Sequence, residues 1–195
     1  PQYAAATTGS SFDAVTRELQ KWRFVPELHF INSYCDNPLF IDALAASIQE
    51  DFNQHGKPEK LLLSYHGMPK RNLELGDPYF CLCQKTTRLV AEKLGLTKDE
   101  YLTTFQSRFG YAEWLQPYTD KTLEELAKSG TKNVAIVSPA FSADCLETLE
   151  ELAVENREIF MHAGGEDYRY IAALNDREDH IDAIVDIIKK QFVHS

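Results

Sequence analysis

Four acidic residues, Asp144, Glu147, Glu151 and Glu155, recur at spacings of three, four and four residues. On a helix that spacing puts them on one face. Like charges so placed repel by about a few tenths of a kcal/mol per pair when exposed. Two readings follow. One is a solvated acidic face, helped by the helix dipole because Asp144 and Glu147 fall in the first turn. The other is a ladder of hard oxygen ligands for a hydrated divalent cation, or a relay for protons. His66 is the second group of interest. It ends the apolar run LLLSY and precedes Gly67 and Pro69, which shape a tight loop. A neutral imidazole of pKa near ~6.5 there either packs as a structural group, accepts a proton or binds a transition metal. Trp114, Phe109 and Tyr118 cluster further along, suited to lid packing or to contact with a flat apolar ligand. Gly164-Gly165 lacks the strand–turn–helix setting of a phosphate loop.

The elements that would position these groups alternate between apolar β-rich runs and amphipathic helical patterns, the signature of a parallel sheet with crossover helices. The sequence predicts helices over residues 10–21, 38–56, 79–94, 119–130, 144–162 and 177–192. Predicted strands cover 28–31, 61–65, 101–106, 134–137 and 168–171. Asn37-Pro38 caps and opens the second helix, and Gly95 stops the third. In open α/β sheets ligands bind beyond the carboxyl ends of the strands. His66 follows one strand there, Gln106-Ser107-Arg108 the next, and Ser138-Pro139-Ala140-Phe141 the one after. All the reactive groups are therefore expected on one rim.

The bulk properties restrict the partners. A formal charge of −10 argues against nucleic acid, because phosphate binding needs clustered Lys and Arg. No apolar run approaches membrane-spanning length and no signal pattern opens the chain, so any membrane contact is at most peripheral. Cys35, Cys81, Cys83 and Cys145 make no secreted disulfide framework in a chain of this length and read as reduced cytoplasmic thiols. The chain starts at Pro1 in a stretch, PQYAAATTGSS, that reads as mid-protein sequence. The expectation is an absent N-terminal portion, and nothing in the sequence fixes the oligomeric state.

Three blocks now combine: SYHGMPKR at 64–71, FQSRFGYAEWLQPYTD at 105–120 and SPAFSADCLETLEEL at 138–152. They resemble the signature blocks of ferrochelatases, in wording closest to proteobacterial members, and the resemblance runs from PQYA to GGEDYRYIAALN. It implies a doubly wound, mostly parallel sheet flanked by helices, with Rossmann-like layers. It divides the chain into a remnant at 1–32 that links to an absent N-terminal domain, a chelatase domain at 33–176 and a C-terminal helix at 177–195. It implies a lyase-type activity, Fe²⁺ insertion into protoporphyrin IX to form protohaem, the last step of haem biosynthesis, with porphyrin and ferrous iron as partners. The alternatives are a chelatase for coproporphyrin or sirohydrochlorin, and a non-catalytic metal- or haem-binding fragment. By the resemblance His66 and Glu147 are catalytic groups and metal ligands facing each other across the ring. Asp144, Glu151 and Glu155 then resemble an acidic path for iron or protons. Trp114, Phe141, Ser107 and Arg108 fall on the substrate side, Arg108 pairing with a nearby carboxylate. Cys145 stands where some relatives have His. Without the opposite wall of the porphyrin cleft, the fragment is expected to bind metal yet turn over poorly. No cofactor is implied beyond substrate Fe²⁺. No [2Fe–2S] cluster is expected, because the chain stops at Val193-His194-Ser195 without a cysteine-bearing extension.

Overall fold

Leu61 to Leu63 and Tyr65 have almost no solvent exposure, and the strand that holds them is buried on both faces. Such continuous apolar strands form parallel sheets covered by helices. In the computed structural model, which describes residues 1–192, four strands build one parallel sheet: β1 (Lys60–His66), β2 (Tyr101–Gln106), β3 (Asn133–Val137) and β4 (Asp167–Tyr170). Their order is β2-β1-β3-β4, with every neighbouring pair parallel. Val193, His194 and Ser195, the end of the expected helical segment 177–195, lie outside the described residues.

The alternation of side chains along the strands divides the core. Leu61, Leu63, Tyr65, Phe105, Ala135 and Val137 pack with α2 (Pro38–His55), α4 (Tyr79–Leu94) and α7 (Glu178–Phe192) on one face. On the other face Leu62, Val134 and Ile136 meet Leu123 and Ala127 of α5 (Thr119–Lys128), and Phe160 of α6 (Asn156–His162). Each fully buried aliphatic side chain contributes about 1.5–3 kcal/mol over leaving it in water. The helix signals hold. Asn37 Oδ1 accepts from Leu39 N and Phe40 N at 3.0 and 3.3 Å, and Gly95 closes α4 at φ 65°, a left-handed conformation that glycine adopts without steric cost.

Three expectations need correction. Residues 28–31 form no strand and have no ladder partner among the described residues, and Leu28 is exposed. The apolar run there has the composition of a strand but no neighbour to pair with. Second, residues 144–162 do not form one α-helix. Asp144 precedes the helix, Glu147–Glu155 is π-helical, and only Asn156–His162 is α6. The wide turn is explicit in Asn156 N–H donating to Glu151 O, an i→i+5 bond. Third, helical turns occur where none was predicted: a π-turn at Ala5–Gly9 ahead of α1 (Ser10–Leu19), and α3 (Lys70–Glu74) inside the loop after β1. Among the described residues no helix is long and apolar enough to cross a membrane.

Candidate active site

The chain leaves β1, forms β2 on one side of it, and returns to form β3 on the other. The carboxyl ends of β1 and β3 therefore border the crevice where the winding reverses, the usual ligand position in such sheets. His66 ends β1, and Phe141 follows β3 with its ring centroid 6.5 Å from the imidazole. His66 Nδ1 lies 2.7 Å from the Gly67 carbonyl oxygen. A carbonyl only accepts, so Nδ1 carries a hydrogen and donates, and Nε2 is the ring nitrogen that this bond leaves free. The Tyr79 hydroxyl donates to His66 O at 2.9 Å and fixes the backbone beneath the ring.

Gly67 is required by close approach. Its N–H donates to Gln106 O at 2.7 Å, and a Cβ there would stand 2.6 Å from the same oxygen and 3.0 Å from the Trp114 ring. The loops after β1 and β2 also bind each other: Lys70 N donates to Glu113 O at 2.9 Å, and Leu115 N to Met68 O at 2.8 Å. Trp114 is consequently buried, with Phe109 against it at 5.0 Å, and its Nε1 has no partner among the described residues. Arg108 donates to Asp120 at 2.8 Å and lies 4.2 Å over the Tyr118 ring, so the expected carboxylate partner is Asp120.

The acidic residues separate into two kinds. Asp144 is saturated by the protein. It accepts from the Tyr170 hydroxyl at 2.6 Å, Asn175 Nδ2 at 2.8 Å, Thr148 Oγ1 at 3.0 Å and Ala173 N at 3.2 Å. Burial pushes this carboxyl upward, but the donors from Asn175, Tyr170, Ala173 and Thr148 together outweigh it and hold it below its ordinary value. Glu151 accepts from Ser107 N at 2.6 Å and from the Ser107 hydroxyl. This bidentate contact holds Ser107 at φ 60°, a left-handed backbone uncommon for a residue with a Cβ. Glu147 is exposed. Its carboxylate accepts from Cys145 Sγ at 3.1 Å, and that bond is the main influence holding it below the ordinary value, with its own backbone and the His66 charge assisting. Burial chiefly, and then Glu147, raise the Cys145 thiol in return.

Glu147, Glu151 and Glu155 thus share one open cleft of about 490 Å³ with Ser107 and Arg108, while Asp144 is tied to β4 and the loop after it. Among the described residues, no three His, Cys, Asp or Glu side chains converge as a ready metal site. Two residues were given no role by the sequence reading, which placed Gln106 on the rim only by its position. Glu150 also lines the cleft. Gln106, only 3% exposed, sits at the end of β2 and binds both sides of the rim. A polar residue closing an otherwise buried strand was the available signal for Gln106.

A parallel sheet with a histidine and a carboxylate at its switch point defines a known kind of α/β protein. The fold matches SirB from Bacillus subtilis with Fe3+ at a TM-score of 0.64, over 97% of this chain and 68% of that one, at 13% sequence identity. The ferrochelatase family model matches residues 1–192, and the chain belongs to the ferrochelatase family. It is 67% identical to ferrochelatase 2 of Shewanella oneidensis over 97% of this chain and 58% of that protein. Identity is 61% with the ferrochelatase of Shewanella denitrificans and 57% with that of Hydrogenovibrio crunogenus, covering 57% and 50% of their lengths. The chain spans about half the length of the curated relatives it matches.

Proposed function

We propose that the protein inserts Fe²⁺ into protoporphyrin IX to give protohaem, a lyase-type reaction in the cytoplasm. The free porphyrin carries two pyrrole N–H groups. As Fe²⁺ enters, both protons leave, and the charge of the ring core is unchanged. The observation that carries this reading is an imidazole whose Nδ1 is turned to the Gly67 carbonyl, leaving Nε2 as the ring nitrogen not held by that bond, at the same rim as an exposed carboxylate held below its ordinary value. Either group is suited to one half of the exchange: a lone pair accepts a pyrrole proton or binds the metal, and an ionised carboxylate does the other. Phe141 beside His66 offers an apolar face to a flat ring. Glu151 and Glu155 extend the acidic cleft and would carry iron inward or protons outward. Asp144, with four donors already bound, serves the path by holding the start of the π-helical segment. The described residues supply one wall of the porphyrin site in this reading.

The test is metal insertion into protoporphyrin followed by absorbance, beside porphyrin binding followed by fluorescence quenching. His66→Ala is expected to lower insertion about 10²-fold or more, the scale of a lost proton-transfer group, with porphyrin binding retained. Insertion at the parent rate would remove His66 from the chemistry.

A further inference from the structure

Gln106 fastens both halves of the rim at once. It stands opposite His66 in the parallel register of β1 and β2, and its carbonyl oxygen takes the Gly67 N–H at 2.7 Å. Its side chain reaches the other way, Nε2 donating to the backbone oxygen of Glu147 at 3.2 Å. The direction of that amide is set by chemistry. Glu147 O can only accept, so the NH₂ must face it and Oε1 must face Ser64, whose hydroxyl donates at 2.7 Å.

The amide is also immobilised from behind. Ser64 Oγ contacts Thr119 Oγ1 at 2.8 Å, and Thr119 in turn reaches Thr104 Oγ1 at 3.0 Å. Ser64 O accepts from the Ser138 hydroxyl at 2.8 Å. Ser64, Thr104, Gln106, Thr119 and Ser138 are all buried, so this is a buried polar network joining β1, β2, α5 and the residue after β3 beneath the rim. A satisfied buried network is stiff, because every departure leaves a donor or acceptor unpaired away from water. The Glu147 carbonyl at its end belongs to the first residue of the π-helical segment.

We propose that Gln106 is a positioning residue that fixes the separation between His66 and Glu147, transmitting the geometry of the sheet to the carboxylate. The inference rests on the metal-insertion reading and adds to it a residue that touches neither metal nor porphyrin. It distinguishes placement from binding: loosening Gln106 lets Glu147 drift while the surfaces that receive the ring stay intact.

Two variants test it. Gln106→Met fills the space without hydrogen bonds, whereas Gln106→Glu keeps the acceptor for Ser64 but faces Glu147 O with a carboxyl oxygen in place of the donor, adding a buried charge. Thr103→Val serves as the control, breaking the Thr103–Gln84 bond of 3.1 Å on the same strand away from the rim. The measurements are kcat and porphyrin KM for insertion of Zn²⁺ and Fe²⁺, porphyrin Kd by fluorescence quenching, and thermal unfolding. Both Gln106 variants are expected to lose about 10–100-fold in kcat, the usual scale for partners that orient a reacting group, with porphyrin KM and Kd essentially unchanged. Thr103→Val is expected to match the parent. A kcat near the parent value in either folded Gln106 variant overturns the inference alone. So does a loss that appears in porphyrin Kd, or in the Thr103→Val control, because the effect would then be general loosening. Absence of insertion by the unsubstituted protein overturns the metal-insertion reading and the inference with it.

Discussion

The rim and the stretch from Ser10 to Phe30 are opposites in how they are held. Beneath the rim, buried side chains of β1, β2 and α5 bond one another, Ser138 just after β3 binds the Ser64 backbone, and each catalytic candidate is fixed through its backbone. Along 10–30 no residue is buried; α1 exposes Phe12 and Val15, and the chain beyond it exposes Trp22, Phe24 and Val25. Both regions are rich in the residues that normally build cores. The first is joined by hydrogen bonds between several distant elements, whereas the second meets a distant part of the chain in the ring contact of His29 with Phe192 at 5.1 Å. Apolar content therefore does not report order: convergence of separate elements does, since local structure alone seldom offsets the entropy of fixing a backbone.

The contrast can be broken at several points. The largest effect is expected at the carboxylates of the cleft. Glu147→Gln removes the charge beside His66 and is expected to lower insertion about 10²-fold. Glu155→Gln, two turns along and not hydrogen-bonded to the rim network, is expected to stay within a small factor of the parent. Equal losses at the two positions would mean that net charge, rather than placement, drives the chemistry.

A middle-sized effect is expected at Asp144. Asp144→Ala deprives Tyr170, Asn175, Thr148 and Ala173 of their acceptor and should cost about 1–3 kcal/mol in urea unfolding at neutral pH. The pH dependence has a definite sign. The native carboxyl lies below its ordinary value, so the folded state binds fewer protons than the unfolded chain in acid. Its contribution is complete above the ordinary carboxylate range of ~4 and is lost as pH falls through the native value. The parent should therefore lose more stability than Asp144→Ala on going from neutral pH into that range. Parallel acid curves for the two proteins would show that Asp144 is not held as the structure has it.

The smallest effect is expected in the loosely held stretch. Phe24 is 85% exposed, and Phe24→Ser should change stability by no more than ~0.5 kcal/mol, read by the same unfolding experiment. A large loss would reveal that residues 10–30 are as well supported as the rim.

The sheet was legible in the sequence because a doubly buried strand writes itself as a continuous apolar run; LLLSY and NVAIV did so. The helix ends were legible where one residue decides them, as at Asn37 and Gly95. Residues 28–31 were misread because strand formation depends on a neighbour, and no local pattern says whether one arrives. The acidic face was misread for a related reason. Spacings of three and four line up on an α-helix, but Gln106 at one end and Tyr168, donating to Leu152 O at 2.6 Å, take up carbonyls of a wider π-helical segment. Those donors come from β2 and β4, far along the chain. The same rearrangement turned Asp144 from a member of the ladder into its anchor. His66 and Glu147 were singled out through type and family resemblance, whereas the contact that Gln106 makes is apparent only once the backbone oxygen it serves has a position.

The parallel register carries a consequence in time. No two neighbouring strands are joined by a hairpin, and Ser64 accepts its hydrogen bond from Ser138, 74 residues later. Parallel pairing must close long loops before any contact rewards the closure, which makes such sheets slow to assemble. The first of these strands in chain order is an interior one, and its second edge waits unpaired until β3 has followed β2. Maturation of the rim is therefore coupled to the completion of β3: the carbonyl of Ser64 has no donor from Ser138 until that strand has docked.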